Sequence, residues 1–392
     1  MKKLPLRLVL ASTTFLALAG SAFALDGDEF LAAINKSYET SGTKVAATDI
    51  EVDGSDITMT GVSYTPPGEG AKPVTVGDVN FTGVEEDEDG NYTVENVTFP
   101  DISSTEKTTT VTATGLSLSG VFIPADPTQK TVDTLAPFES ANSGKITVSE
   151  NGKEVFSMES MEATATVRED ESGVDYSWKA EGLKADLSQS PDPKTKDAVE
   201  KLGLQTLEGN IEIASSWALD KGTMAIDALT LDFKNVGKLN MSFSLSGMTL
   251  DLIQKIEDAS KQMNDPATKD AANLQFMGLM QQLAFVGAEI RFEDASITKR
   301  ALDYAGQQQG VTGQQLAESL KAMAPLMLAQ LNVPELQNAV ASAVSAYLDD
   351  PKSFTVSAKP SAPVAFPMIM GAAMGAPNTI PQMLSVKVSA ND

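Results

Sequence analysis

The sequence predicts an α+β protein: a large, strongly bent antiparallel β-meander of about twelve strands, with helices inserted mainly in the C-terminal half. Three observations predict it. From about Val45 onward apolar and polar residues alternate with period 2, the pattern of half-buried strands. Short turn signals separate the runs, among them Asp53-Gly54, Asp89-Gly90, Asn151-Gly152 and Lys221-Gly222, and connections that short join antiparallel neighbours. The alternation also slips in one repeated way, as where Val111 and Ala113 give way, after Thr114-Gly115, to Leu116 and Leu118.

The slip occurs nine times. Its intervening pairs are Thr60-Gly61, Gly77-Asp78, Glu95-Asn96, Thr114-Gly115, Glu159-Ser160, Glu181-Gly182, Asp227-Ala228, Ser246-Gly247 and Glu293-Asp294. In a flat strand each slip would turn the second half's apolar residues toward solvent. A β-bulge inserts one residue and returns them to the first face while the strand bends. Glycine, asparagine and aspartate suit that position because they tolerate positive φ. Gly61, Asp78, Asn96 and Gly115 follow at intervals of 17, 18 and 19 residues, one long strand plus a turn each. Neighbours paired with their bends at one level would crease the sheet into an apolar trough; the alternative is an orthogonal sandwich in which slips are strand ends.

In chain order, residues 1–24 have the parts of a cleavable export signal: Lys2, Lys3 and Arg7, an apolar core from Leu8 to Gly20, and Ala22-Phe23-Ala24. Residues 25–392 read as a single elongated β-rich domain without an internal linker. Within it, 25–250 is mostly sheet, opened by a helix at Asp28 to Tyr38 where Phe30, Ile34 and Tyr38 recur every fourth residue. Pro124 to Gly144 is an irregular excursion, and Asp192 to Leu202 a short helix. Residues 251–350 carry helical insertions: Leu250 to Val286 around a break at Asp265-Pro266, then Thr312 to Leu331 and Pro334 to Leu348 as a hairpin. Residues 351–392 close the chain with strands at Phe354 to Ala358 and Leu384 to Val388 around a Pro- and Met-rich segment.

Composition narrows the chemistry. The chain has no cysteine and no histidine, so disulfides, Ser-His-Asp triads, histidine acid-base catalysis and ordinary zinc sites are excluded. Loss of three basic residues with the signal takes the formal charge from −24 to −27, a surface that repels nucleic acid. The most apolar later run, Val364 to Pro377, is short and broken by Pro367, Gly371 and Gly375, so no stable membrane span is expected in the mature chain.

Specific motifs are weak. Glu85 to Asn91 resembles a calcium loop in its clustered carboxylates, yet Asn96 stands where a bidentate glutamate is needed, which reads as a solvated hairpin turn. Ser-x-x-Lys recurs at Ser41, Ser104 and Ser296 without companion motifs. Arg168 beside Glu169 and Asp170, and Arg291 near Glu293 and Asp294, read as strand-edge ion pairs. Methionines concentrate from Met263 onward, and methionine both fills cores and lines adaptable apolar sites. The residues expected on the apolar face are Val111, Leu116, Leu118, Phe243, Met248, Met277 and Met280.

Repeated Gly-apolar-x-apolar units (Gly61-Val-Ser-Tyr, Gly115-Leu-Ser-Leu, Gly182-Leu-Lys-Ala, Gly247-Met-Thr-Leu) resemble the strands of AsmA-like and YdgA-like bacterial envelope proteins. The helical segment near the C-terminus resembles the latter. The resemblance covers residues 45–392 and implies an apolar β-groove of the kind AsmA-like proteins use to move or balance lipids between envelope membranes. A cleavable signal and a short chain favour a soluble accessory or binding role. The expectation is therefore a non-enzymatic periplasmic protein that needs no cofactor and binds, or helps transfer, lipid or another apolar ligand, with other envelope proteins as partners. The competing expectation is a structural or protein-interaction module whose sheet face is filled by its own helices.

Overall fold

The computed structural model describes residues 25–68, 70–189, 192–263, 268–329 and 333–392. The expected export signal and the expected helix break at Asp265-Pro266 lie outside the described residues. Those described form one open, antiparallel sheet of twenty strands with ten α-helices. The first strands are β1 (Lys44–Ala46), β2 (Asp49–Asp53), β3 (Asp56–Thr65), β4 (Val74–Glu86), β5 (Tyr92–Thr98) and β6 (Ile102–Glu106). Next come β7 (Thr109–Ala113), β8 (Ser117–Ile123), β9 (Ser140–Ser143), β10 (Ile146–Glu150), β11 (Lys153–Met158) and β12 (Ser160–Val167). Long strands follow: β13 (Gly173–Asp186), β14 (Thr206–Ala218), β15 (Thr223–Phe233), β16 (Gly237–Ser246) and β17 (Ala284–Asp294). The sheet closes with β18 (Ser353–Ala358), β19 (Val364–Ala365) and β20 (Val386–Ala390).

Twenty strands exceed the expected twelve partly because extended runs are interrupted, two of them at slips, Thr114-Gly115 and Glu159-Ser160. Single extended runs are cut in two at Phe99 to Asp101, Thr114 to Leu116, Gly144-Lys145 and Glu159. The cuts lie side by side. Thr114 N–H donates to the Lys145 carbonyl at 3.1 Å, Gly144 N–H to the Thr114 carbonyl at 2.8 Å, and Phe99 N–H to the Leu116 carbonyl at 3.1 Å. The neighbouring β13 keeps its continuity through a register shift between Ala180 and Leu183, and β15 through shifts around Asp227-Ala228. At Glu95 the register is unbroken because three strands slip together: Phe81, Val97 and Leu118 form one paired row, and Val84, Val94 and Val121 the next.

Two slips are something else. Ser246-Gly247 and Glu293-Asp294 end strands and lead into helices α4 (Leu250–Met263) and α6 (Ile297–Gln308) rather than into further strand. Thr249 caps the first through its hydroxyl, which accepts the Leu252 N–H at 3.2 Å. Asp294 caps the second, its carboxylate accepting the N–H groups of Ser296 at 2.7 Å and Thr298 at 2.8 Å.

The helices are α1 (Gly27–Ser37), α2 (Val132–Leu135), α3 (Pro193–Lys201), α4 (Leu250–Met263), α5 (Lys269–Met280) and α6 (Ile297–Gln308). After these come α7 (Gly313–Ala329), α8 (Pro334–Asp349), α9 (Phe366–Gly375) and α10 (Ile380–Met383). The first, third, fourth, fifth, seventh and eighth match expected helical stretches. By contrast, α6 occupies the second half of an expected strand repeat, and α9 lies in the Pro- and Met-rich segment.

Directly paired residues share a face of the sheet. One apolar row therefore crosses thirteen strands: Ile57, Phe81, Val97, Leu118, Ala141, Ala163, Trp178, Ile213, Leu229, Met241, Ile290, Val356 and Val388. Its cover changes along the way. Ile57 and Val97 are buried, whereas Ile290 is 51% exposed. Among the described residues, helices meet the margins of this face in the C-terminal half. Leu245 packs against the cluster of Leu252, Ala259, Leu279 and Leu283 from α4 and α5. At the other margin Tyr347 of α8 stands edge-on to Phe354, ring centres 5.6 Å apart.

Candidate functional site

The covered end of the face holds a cavity, and α1 supplies one side of it. Asp26 caps this helix, accepting the N–H groups of Asp28 and Glu29 at 2.9 and 3.1 Å. Phe30 then projects into the sheet, fully buried, its ring edge-on to Phe81 and Tyr92 at 5.1 and 5.2 Å. Burying a phenylalanine in this way contributes about 3 kcal/mol and fixes the helix over β3, β4 and β5. One turn on, the Asn35 side-chain amide donates to the Val45 carbonyl at 2.9 Å and accepts the Val45 N–H at 2.8 Å, acting as a strand partner for the sheet margin.

The excursion after β8 supplies the other side. Pro124, Pro127 and Pro137 lack the N–H that a ladder requires, so this stretch cannot simply continue the sheet. It is pinned instead. Asn91 accepts the Ala125 N–H at 2.9 Å, Lys36 donates to the Ala125 carbonyl at 2.6 Å, and the Tyr176 hydroxyl donates to the Leu135 carbonyl at 2.9 Å. Lys130 adds an ion pair with Glu257 of α4 at 3.2 Å.

Between them lies a cavity of about 800 Å³. Met59, Val79, Phe81, Val94, Val97, Leu118, Val121 and Phe122 contribute from the sheet, Ile34 and Tyr38 from α1 and its end, and Pro124, Pro127 and Phe138 from the excursion. That volume falls in the range of about 300–1,000 Å³ typical of small-molecule sites, and the lining is overwhelmingly apolar. Among the described residues Lys130 is the only charged one in the lining. Such a chamber offers apolar burial.

The residues expected on the apolar face are not brought together. Leu118 lines the cavity. Leu116 is half-buried at the line of strand cuts, and Val111, 38% exposed, pairs with Val148 and Ser104 beyond it. Phe243 lies on the open C-terminal face, its ring 6.1 Å from Phe285. Met248 and Met280 pack against the α4 and α5 cluster, while Met277 is 60% exposed. Sequence reasoning missed the excursion's share of the lining. Its signal was the placement of Phe122 and Phe138 around three prolines, which carries no period.

Other sequence features resolve as structure. Asp87 closes the turn between β4 and β5 by accepting the N–H groups of Asp89 and Asn91 and the Asn91 amide, at 2.9, 2.9 and 2.8 Å. The Asn91 amide is the main reason its carboxyl sits below the usual carboxylate range. Arg168 pairs with Asp175 across a hairpin at 2.6 Å, not with Glu169 or Asp170, and Arg291 reaches both Glu293 and Asp392 at 2.9 Å. A second, polar depression of about 450 Å³ includes Lys153, Lys184 and Asp186 in its lining. Lys153 lies 2.5 Å from Asp186 and holds that carboxyl down to about 2, and Lys184 pairs with Glu208, so both lysines are engaged. Among the described residues no helix is long and apolar enough to cross a membrane.

A protein-family model described only as an uncharacterized protein matches residues 230–391. No curated protein matches the chain. The matched stretch begins within β15 and includes none of the cavity's lining residues.

Proposed function

We propose that this chain is a non-enzymatic binding protein for lipid or another elongated apolar ligand, held in the N-terminal cavity. The observation that carries this reading is the cavity itself: about 800 Å³, lined by side chains from five strands, α1 and the excursion, with one charge among them. Transfer of a hydrocarbon chain from water onto such a lining is favourable by about 25 cal/mol per Å² of apolar surface covered. The repeated glycine joints and the resemblance to AsmA-like and YdgA-like envelope proteins support the same reading. With the sequence expectation of a cleaved export signal, they favour action in the periplasm.

Lipid mass spectrometry on protein purified from its native envelope tests the proposal. The expected result is an apolar ligand at close to one per chain, lost in a Leu118→Trp variant whose circular dichroism matches the wild type. Absence of any such ligand, together with failure of the purified chain to take up palmitate or a long-chain alcohol, would overturn it. A second reading, a protein-interaction module, is favoured by the open C-terminal face, where Ile226, Phe243, Ile290 and Val356 are all more than a third exposed.

A further inference from the structure

We infer that the cavity selects an anionic single-chain amphiphile, its tail over Val97 and Leu118 and its carboxylate or phosphate head paired with Lys130. The inference rests on the apolar-ligand reading above and adds the charge of the head group to it. Among the described residues Lys130 carries the only charge in a lining drawn from 24, in a chain whose net charge is −24. On a surface that otherwise repels anions, an ammonium at the margin of an apolar chamber matches a ligand with one apolar end and one anionic end.

Two of the hydroxyls in the lining, those of Ser37 and Thr134, are already engaged. Ser37 donates its hydroxyl to the Ala33 carbonyl at 3.2 Å, and Thr134 donates to the Thr131 carbonyl at 2.9 Å. Lys36 is committed to the Ala125 carbonyl. Lys130 itself faces Glu257 at 3.2 Å, with side chains 26% and 43% exposed. A pair that open to water is weakly held and exchangeable, so a ligand's head can take the place of the Glu257 carboxylate. Glu257 then acts as a built-in competitor: it satisfies Lys130 in the empty protein and sets the threshold an anion must exceed.

Isothermal titration of the full chain with palmitate, lysophosphatidate and palmityl alcohol, each below its aggregation threshold and at low salt, tests this. Both anions are expected to bind about five- to tenfold more tightly than the alcohol. Lys130→Met should abolish that preference while leaving the alcohol's affinity within about twofold, and Glu257→Gln should tighten both anions by about threefold without affecting the alcohol. Raising the salt should shrink the preference. Equal binding of anions and alcohol, or a preference that survives Lys130→Met, would overturn the head-group inference while leaving the cavity reading standing. Failure of all three ligands to bind the wild type would overturn both.

Discussion

The backbone N–H of Gly61 donates to Oδ1 of Asp78 at 2.9 Å, joining two of the sequence slips across neighbouring strands. The contact recurs from Gly83 to Asp56 at 3.1 Å, from Gly115 to Asp101 at 3.1 Å and from Gly182 to Asn210 at 2.9 Å. All four glycines have φ between 60° and 63°. The left-handed turn takes each N–H out of the ladder, and a short acidic or amide side chain next door accepts it. At these four places the strand carries a two-part joint: a left-handed glycine takes its N–H out of the ladder and a neighbouring side chain satisfies it.

Breaking one joint should cost stability from both parts. A Cβ on Gly61 would sit 2.5 Å from Oγ1 of Thr48, and the left-handed backbone adds its own penalty for any L side chain. Gly61→Ala is expected to lower unfolding free energy by about 2 kcal/mol, and Asp78→Ala by about 1 kcal/mol. The double variant should lose less than the sum, because both changes dismantle one contact. Urea titrations check all three, and strict additivity would show that the joint is not a unit.

Where the joints fall was legible because residue type and spacing are local, and at Thr60-Gly61, Glu181-Gly182 and Asp227-Ala228 the structure has its register shifts. Ser246-Gly247 and Glu293-Asp294 misled for an equally local reason: Thr249 and Asp294 offer side-chain oxygens just as a bulge neighbour would, but direct them at helix N–H groups. Which outcome follows is decided by the residues beyond, where Leu250 to Met263 and Ile297 to Gln308 run with helical period. The cavity was not legible. It depends on how a proline-bearing excursion packs back over strands up to some 80 residues earlier, and neither Phe122 nor Phe138 announces that partnership.

Tyr92 makes stability fall at high pH. It is 3% exposed, and burial, reinforced by the Glu86 carboxylate, pushes its hydroxyl up to about 12. In the unfolded chain it ionises near 10. Because the folded value is raised, its contribution is complete below about pH 10 and is lost as pH rises from there toward 12. Urea midpoints across this window should decline, and Tyr92→Phe should flatten the decline. A residual slope is expected from Tyr176 and Tyr347, whose hydroxyls burial also raises. An unchanged slope in Tyr92→Phe would refute the assignment.

Ser143 is a place where the fold gives up stability. Its residue is 5% exposed on β9, directly opposite Met161, and its hydroxyl has no hydrogen-bond partner among the described residues. A buried hydroxyl without a partner carries its desolvation cost uncompensated. Ser143→Ala removes the oxygen with little change of shape and is expected to raise unfolding free energy by about 1 kcal/mol. Calorimetry should show a higher midpoint; a drop would mean that the hydroxyl is satisfied in solution.

The uneven cover along the apolar row gives the sharpest contrast. Val97 and Ile290 occupy equivalent places on one face of one sheet, linked through paired neighbours across nine strands, yet Val97 is 2% exposed and Ile290 51%. A lysine in place of Val97 would leave an ammonium among Phe81, Leu118 and the cavity lining with no carboxylate in that lining to meet it. The expected cost is about 3–5 kcal/mol, enough to unfold a protein of ordinary stability. At Ile290 the same ammonium reaches water and its stem lies along the sheet, so Ile290→Lys should change stability by no more than about 0.5 kcal/mol. The same variant should also weaken binding of a hydrophobic dye to the folded protein, since it puts a charge into the open part of the face. Comparable destabilisation by both substitutions would mean that the C-terminal half is covered in solution as the N-terminal half is, and the division into a lined cavity and an open face would not stand.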